Sequence, residues 1–92
     1  MLNLKTTTQF RKDYKTIKKR GYKLSLLEDV LQTLLIEKPL EPKYHDHALT
    51  GKHAGFRECH ILPDWLLIYC IDNDELLLIA SRTGTHSDLF RK

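Results

Sequence analysis

Residues 65–71, Trp-Leu-Leu-Ile-Tyr-Cys-Ile, form the feature that most constrains this chain. The run is apolar almost throughout, rich in aromatic and branched side chains, and lies between two turn signals, Pro63-Asp64 and Asn73-Asp74. A stretch of this length and composition reads as a strand buried on both faces, in the middle of a sheet. Flanking strands are expected at about Phe56–Ile61 and Glu75–Ser81, joined to the central one by tight turns. With 92 residues there is room for one domain and one helical layer over that sheet.

The first half supplies the helices. After a short alternating strand at Leu2–Lys5, Thr6 and Gln9 have the spacing of a capping box. Phe10, Tyr14 and Ile17 then recur on one helical stripe, and Gly21 is a natural stop. Ser25 and Glu28 suggest a second capping box, opening a helix with the stripe Leu27, Val30, Leu31, Leu34 and Leu35, which Pro39 ends. Glu41–Ala54 has weak periodicity and reads as a loop carrying His45, His47 and His53. The expected order is β-α-α-β-β-β, an α+β domain with a helix hairpin packed on a small, mainly antiparallel sheet.

Charge is unevenly placed. Residues 1–24 carry eight basic side chains against Asp13 alone, a net +7, while the rest carries seven basic and eleven acidic residues, a net −4. A basic first helix with Arg11, Lys12, Lys15, Lys18 and Lys19 suits a polyanion or an acidic protein partner. No run approaches the roughly 20 apolar residues of a membrane span, and no signal-peptide pattern opens the chain. Cys59 and Cys70 alone do not indicate a disulfide framework, so the cytoplasm is the expected compartment.

With two-residue turns, Leu62 faces Trp65 and Asp72 faces Glu75. One face then collects Arg57, Cys59, Ile61, Leu66, Ile68, Cys70, Leu77, Ile79 and Ser81, which suits burial under the helices. The other collects Phe56, Glu58, His60, Trp65, Leu67, Tyr69, Leu78, Ala80 and Arg82. This register sets Trp65 opposite Arg82 and His60 opposite Leu67, and brings Asp64, Trp65, Arg82, His60 and His86 to one end of the sheet. A slip of one residue would exchange the faces. Cys59 and Cys70 are offset, so no bridge between them is expected.

Two histidines and a carboxylate supply acid and base groups near neutral pH. Arg82 suits charge developing on a phosphoryl oxygen, and Trp65, Tyr69 or Phe90 could stack an unpaired base. No phosphate-cradling glycine loop is present. Metal-free cleavage of RNA through its 2′-OH fits this set, and DNA lacks that nucleophile. The spacing of His45, His47 and His53 matches no standard metal site, and His45 and His53 read as ordinary loop histidines.

The segments Asp46–Gly51, Phe56–Tyr69 and Arg82–Phe90 resemble the YafQ branch of the RelE toxin superfamily, and the element order agrees. The resemblance implies a bacterial type II toxin that cleaves mRNA in the ribosomal A site without a cofactor. It implies a cognate antitoxin, and operator binding only through the toxin–antitoxin complex. By position, the family's active-site set falls on His47, His60, Asp64, Trp65, Arg82, His86 and Phe90. His86 is then the expected general acid, with Asp64, His60 or His47 as base, and Arg82 as the group that stabilises the transition state. The basic helix would meet ribosomal RNA or the antitoxin's acidic segment. The alternatives are a non-enzymatic, gyrase-inhibiting toxin of the ParE kind and a plain nucleic-acid-binding module; neither needs the His60, Arg82 and His86 set.

Overall fold

A computed structural model describes residues 1–90. The elements are β1 (Asn3–Thr6), α1 (Thr8–Lys19), α2 (Leu24–Leu35), β2 (His47–Ala48), β3 (Arg57–Leu62), β4 (Trp65–Asp72), β5 (Leu77–Gly84) and α3 (His86–Leu89). They build one five-stranded sheet in the order β1-β5-β4-β3-β2. Only β1 runs parallel to its neighbour, β5; the other pairings are antiparallel. The expected α+β order is present. It is extended by a two-residue edge strand inside the segment read as a loop, and by α3 in the tail. No helix among the described residues is long and apolar enough to cross a membrane.

The helices follow from their stripes. Thr7, one residue beyond the expected cap, accepts the Phe10 N–H at 2.9 Å and starts α1. The helix buries Phe10, Asp13 and Ile17, and the chain turns away at Gly21, where φ is +80°. α2 begins at Leu24 with Lys23 as its uncapped lead residue, so the expected Ser25–Glu28 capping box is not formed. Its buried side chains are Leu27, Val30 and Leu34.

Register is where the sequence expectation and the structure part. Leu62 faces Trp65 as expected, but Ile61 is an extra residue on β3, so His60 pairs with Leu66 and Cys59 with Leu67. The β4–β5 connection is longer than two residues: Asp72 pairs with Leu77, and Asp72 Oδ1 accepts the N–H groups of Asp74 and Glu75 at 3.0 and 3.1 Å. A second extra residue, Ser81 on β5, sets Arg82 opposite Ile68 and Thr83 opposite Leu67. Each bulge flips the alternation beyond it. Glu58, His60 and Arg82 therefore leave the Trp65 face and share the face of Leu66 and Ile68.

The helix hairpin consequently covers the face expected to be mixed. Trp65, Leu67, Tyr69, Leu78 and Ala80 join Cys59 and Ile61 in one buried cluster with Phe10, Ile17, Leu27, Val30 and Leu34. Once the bulges remove His60, Glu58 and Arg82, this face carries the larger side chains, with Arg57 at its margin paired to Asp46; burial of each large apolar group is worth roughly 1.5–3 kcal/mol. Leu66 and Ile68 are buried on the other side, so the central strand is covered on both faces.

Candidate active site

The site is built where the β3–β4 turn, the end of β5 and the histidine loop meet. Gly84 ends β5, and Thr85 caps α3. The Thr85 hydroxyl accepts the Asp88 N–H at 3.1 Å, and Asp88 Oδ2 accepts the Thr85 N–H at 2.9 Å. A side chain at position 84 would put its Cβ 2.9 Å from Asp88 Oδ2, so only glycine allows this close return of the chain. His86, the first residue of α3, is thereby turned back to the Pro63-Asp64 turn. Asp64 Oδ1 accepts its backbone N–H at 2.9 Å and lies 2.6 Å from its ring Nδ1. These two bonds, the backbone one foremost, hold the Asp64 carboxyl below its ordinary value.

His60 is the hub of the histidines. Its ring centroid lies 5.5 Å from that of His45, 6.4 Å from His47 and 5.7 Å from His86. The edge strand explains His47, because it pairs with Glu58 and so stands beside the β3 histidine. Its Nδ1 faces the His45 carbonyl at 2.7 Å, and His45 itself adopts left-handed backbone, φ +48°, at the end of a 3-10 turn. Beneath them lies Glu58, a buried carboxylate whose Oε1 is 3.4 Å from His60 Nε2 and 3.6 Å from His47 Nε2. A cleft of ≈ 760 Å³ opens beside His45, His47 and His60 and is also lined by Lys43, Tyr44 and Pro63. Among the described residues, no three of His, Cys, Asp and Glu are arranged to hold a metal ion.

Of the expected site residues, His47, His60, Asp64 and His86 converge. Three do not. Trp65 is fully buried, and its indole N–H donates to Thr83 Oγ1 at 2.9 Å, so it cannot stack a base. Tyr69 is likewise in the core, its hydroxyl bonded to Asp46 at 2.5 Å; burial foremost, then that bond, raises its phenol pKa. Arg82 turns to α1. Its Nε and Nη2 donate to Asp13 at 2.8 and 3.0 Å, and it lines a separate cleft of ≈ 400 Å³ with Asp13, Thr16 and Ser87. The register supposed for Arg82 opposite Trp65 fails because the longer β4–β5 connection shifts the pairing by two residues and the Ser81 bulge then turns Arg82 to the other face. Phe90 is half-buried and meets His53 edge-on, with centroids 5.6 Å apart.

Sequence reasoning passed over His45, Glu58, Tyr44 and Asp13. Asp13 had a readable signal: it is the one acid in a strongly basic stretch, and it sits on the buried stripe between Phe10 and Ile17. Along α1, Lys12, Lys15, Lys18 and Lys19 are exposed, whereas Arg11 is tied to the helix start through Thr6 and Thr8.

A profile of the bacterial toxin YafQ of type II toxin–antitoxin systems matches residues 2–91. The chain belongs to the YafQ toxin family. It is 44% identical over 84 residues to the mRNA interferase toxin YafQ of Escherichia coli K12, covering 89% of this chain and 88% of that one. A metal-bound toxin from Helicobacter pylori superposes with a TM-score of 0.93 at 48% identity, over 98% of this chain and 100% of that one. YafQ in the E. coli DinJ–YafQ complex superposes with a TM-score of 0.89 at 36% identity, over 98% and 99% of the two chains. The α+β architecture is thus that of the YafQ toxins.

Proposed function

We propose that this YafQ-family toxin is an mRNA interferase that cuts RNA by acid–base transfer of the phosphodiester to the ribose 2′-OH. The observation that carries this reading is the Asp64–His86 contact of 2.6 Å, with the His60 ring 5.7 Å from that of His86. With Asp64 accepting from Nδ1–H, Nε2 is the nitrogen of His86 left free to hand a proton to substrate. That is the arrangement of a general acid.

Asp64 is committed to His86, so the base role falls to His60, oriented by Glu58 with His47 beside it. His60 removes the 2′-OH proton, the 2′ oxygen bonds to phosphorus, and the bond from phosphorus to the 5′ oxygen breaks. His86 delivers its proton to that oxygen. The products are a 2′,3′-cyclic phosphate and a free 5′-OH, and no metal enters the balance. Each positioned proton-transfer group contributes about 10²–10⁴ in rate. The cleft at Lys43 and Tyr44 receives the adjoining nucleotide, and Phe90 stacks a base at the tail side.

The substrate is mRNA in the ribosomal A site of the cytoplasm, approached by the exposed lysines of α1. A cognate antitoxin, as DinJ is for E. coli YafQ, covers the toxin, and operator DNA is met only through their complex.

The test is to add the wild type and His86→Gln to translating and ribosome-free extracts and to map the ends of mRNA and their chemistry. The expected result is cuts with 2′,3′-cyclic phosphate and 5′-OH ends, made by the wild type in translating extract and lost in His86→Gln. Absence of wild-type cuts in both extracts would overturn the nuclease reading; 3′-OH and 5′-phosphate ends would overturn attack by the 2′-OH.

A further inference from the structure

α3 has four residues, too few for a helix to persist on its own. Its place is therefore set by what ties it down. One tie is Asp64 to His86. A second is internal, the Thr85–Asp88 capping box. The third crosses the molecule: Arg20, at the C-terminal cap of α1, forks onto the same Asp88, with Nη1 2.7 Å from Oδ2 and Nη2 3.1 Å from Oδ1. Arg20 is distinct from its basic neighbours, since its guanidinium is spent inside the molecule. The Asp88 carboxylate answers it on both oxygens and is held well below its ordinary pKa, first by Arg20.

We propose that Arg20 is a positioning residue for His86, holding α3 where the His86 ring meets Asp64. The inference deepens the nuclease reading above and rests on it for its kinetic arm. The geometry is direct. Asp88 and His86 are two residues apart on a single helical turn, so the fork at Asp88 fixes the turn that carries the acid. α1 is a rigid mount, anchored in the core by Phe10 and Ile17. Seven residues before Arg20, Asp13 on the same helix holds Arg82 and also accepts the Thr83 N–H at 3.2 Å. Two turns of α1 thus grip the strand end on either side of the Gly84 return.

The Arg20 and Asp88 side chains are 38% and 28% exposed, so their pair adds little to global stability. Its effect belongs in the placement of His86, where a displacement of about 1 Å can cost on the order of 10²-fold in rate.

The experiment uses the full chain as wild type, Arg20→Met, Arg20→Lys and Asp88→Asn. The asparagine retains an oxygen for the Thr85 N–H while giving up the ionic fork. Three quantities are read: single-turnover cleavage at saturating toxin, affinity for the ribosome, and the NMR signals of the His86 imidazole in the free toxin. The expected result for Arg20→Met and Asp88→Asn is a fall in rate of about tenfold or more, with affinity changed less than twofold. The His86 ring signals should move toward those of a free histidine, and Arg20→Lys should fall between, since an ammonium cannot reproduce the fork.

An unchanged rate with unmoved His86 signals would overturn the inference. So would a loss confined to affinity, which would make Arg20 an RNA contact. If the wild type makes no cuts, the nuclease reading fails by itself, and the His86 signals in the variants still decide the positioning claim.

Discussion

Asp64 Oδ1 receives two bonds from one residue, the backbone N–H and the ring nitrogen of His86. A carboxylate in the β3–β4 turn thus fixes both the main chain and the side chain of the proposed acid. Both bonds favour the ionised form, so the folded carboxyl titrates below its unfolded value. A depressed carboxyl contributes its stabilisation above the unfolded pKa and loses it as pH falls through the folded one. The tie should therefore survive down through the ordinary aspartate range near about 3.9. Amide exchange at His86, followed with pH, checks this; release of that N–H above pH ~4 would contradict it.

Trp65 should behave as a core residue. Trp65→Ala is expected to cost about 3–5 kcal/mol in urea unfolding, from lost burial and the cavity left behind. Trp65→Phe keeps most of the volume and gives up only the bond to Thr83, a loss of about 1–2 kcal/mol. Cleavage by folded Trp65→Phe should stay close to wild type. A selective collapse of activity without loss of stability would return the indole to the site.

Asp13→Ala should destabilise the chain by about 1–3 kcal/mol, because it strands the Thr83 N–H and Arg82 together. Arg82 is a third exposed, so water takes up part of what Asp13 gave it and limits the loss. Thermal unfolding measures it, and a change under about 0.5 kcal/mol would mean the fork is idle.

The two cysteines should differ in alkylation. Cys59 is buried in the core, and burial pushes its thiol up to about 12. Cys70 is only half-buried and is raised less. Native protein at mildly alkaline pH should take one label, at Cys70, and the second only on unfolding. Peptide mapping by mass spectrometry reads the result.

Reversing charge on α1 should weaken ribosome association. Lys12, Lys15 and Lys19 are exposed and outside the core packing, so the triple change to Glu leaves the histidines in place. Affinity should drop, and its dependence on salt should flatten by roughly 0.7–0.9 for each phosphate that is no longer neutralised. An unchanged salt slope would assign the basic face to another partner.

Much of this was legible in the sequence because it was written in repeats. Phe10 with Ile17, and Leu27 with Val30 and Leu34, mark buried helical faces by spacing alone. The Trp65–Ile71 run announces a central strand. The bulges at Ile61 and Ser81 have no such mark, since an extra residue is accepted or refused by the packing of whole faces. They decide where His60, Glu58 and Arg82 point, so the carboxylate under the histidines and the Asp13 partner of Arg82 were hidden with them. β2 has two residues, too few to show a period. Asp64 and His86 were found because a tight turn and a strand end at the same edge need no register to meet.

The parallel pairing of β1 with β5 joins the earliest element of the chain to one made after all the helices of its hairpin. Thr7 Oγ1 donates to the Ser81 carbonyl at 2.7 Å across a separation of 74 residues. Closing a contact that distant in sequence carries a large loop-closure entropy and slows folding. During synthesis, His60 and Asp64 emerge before β5 and α3 supply His86, so a growing chain carries half a site. The proposed pair of His60 and His86 is therefore complete only once that last strand docks.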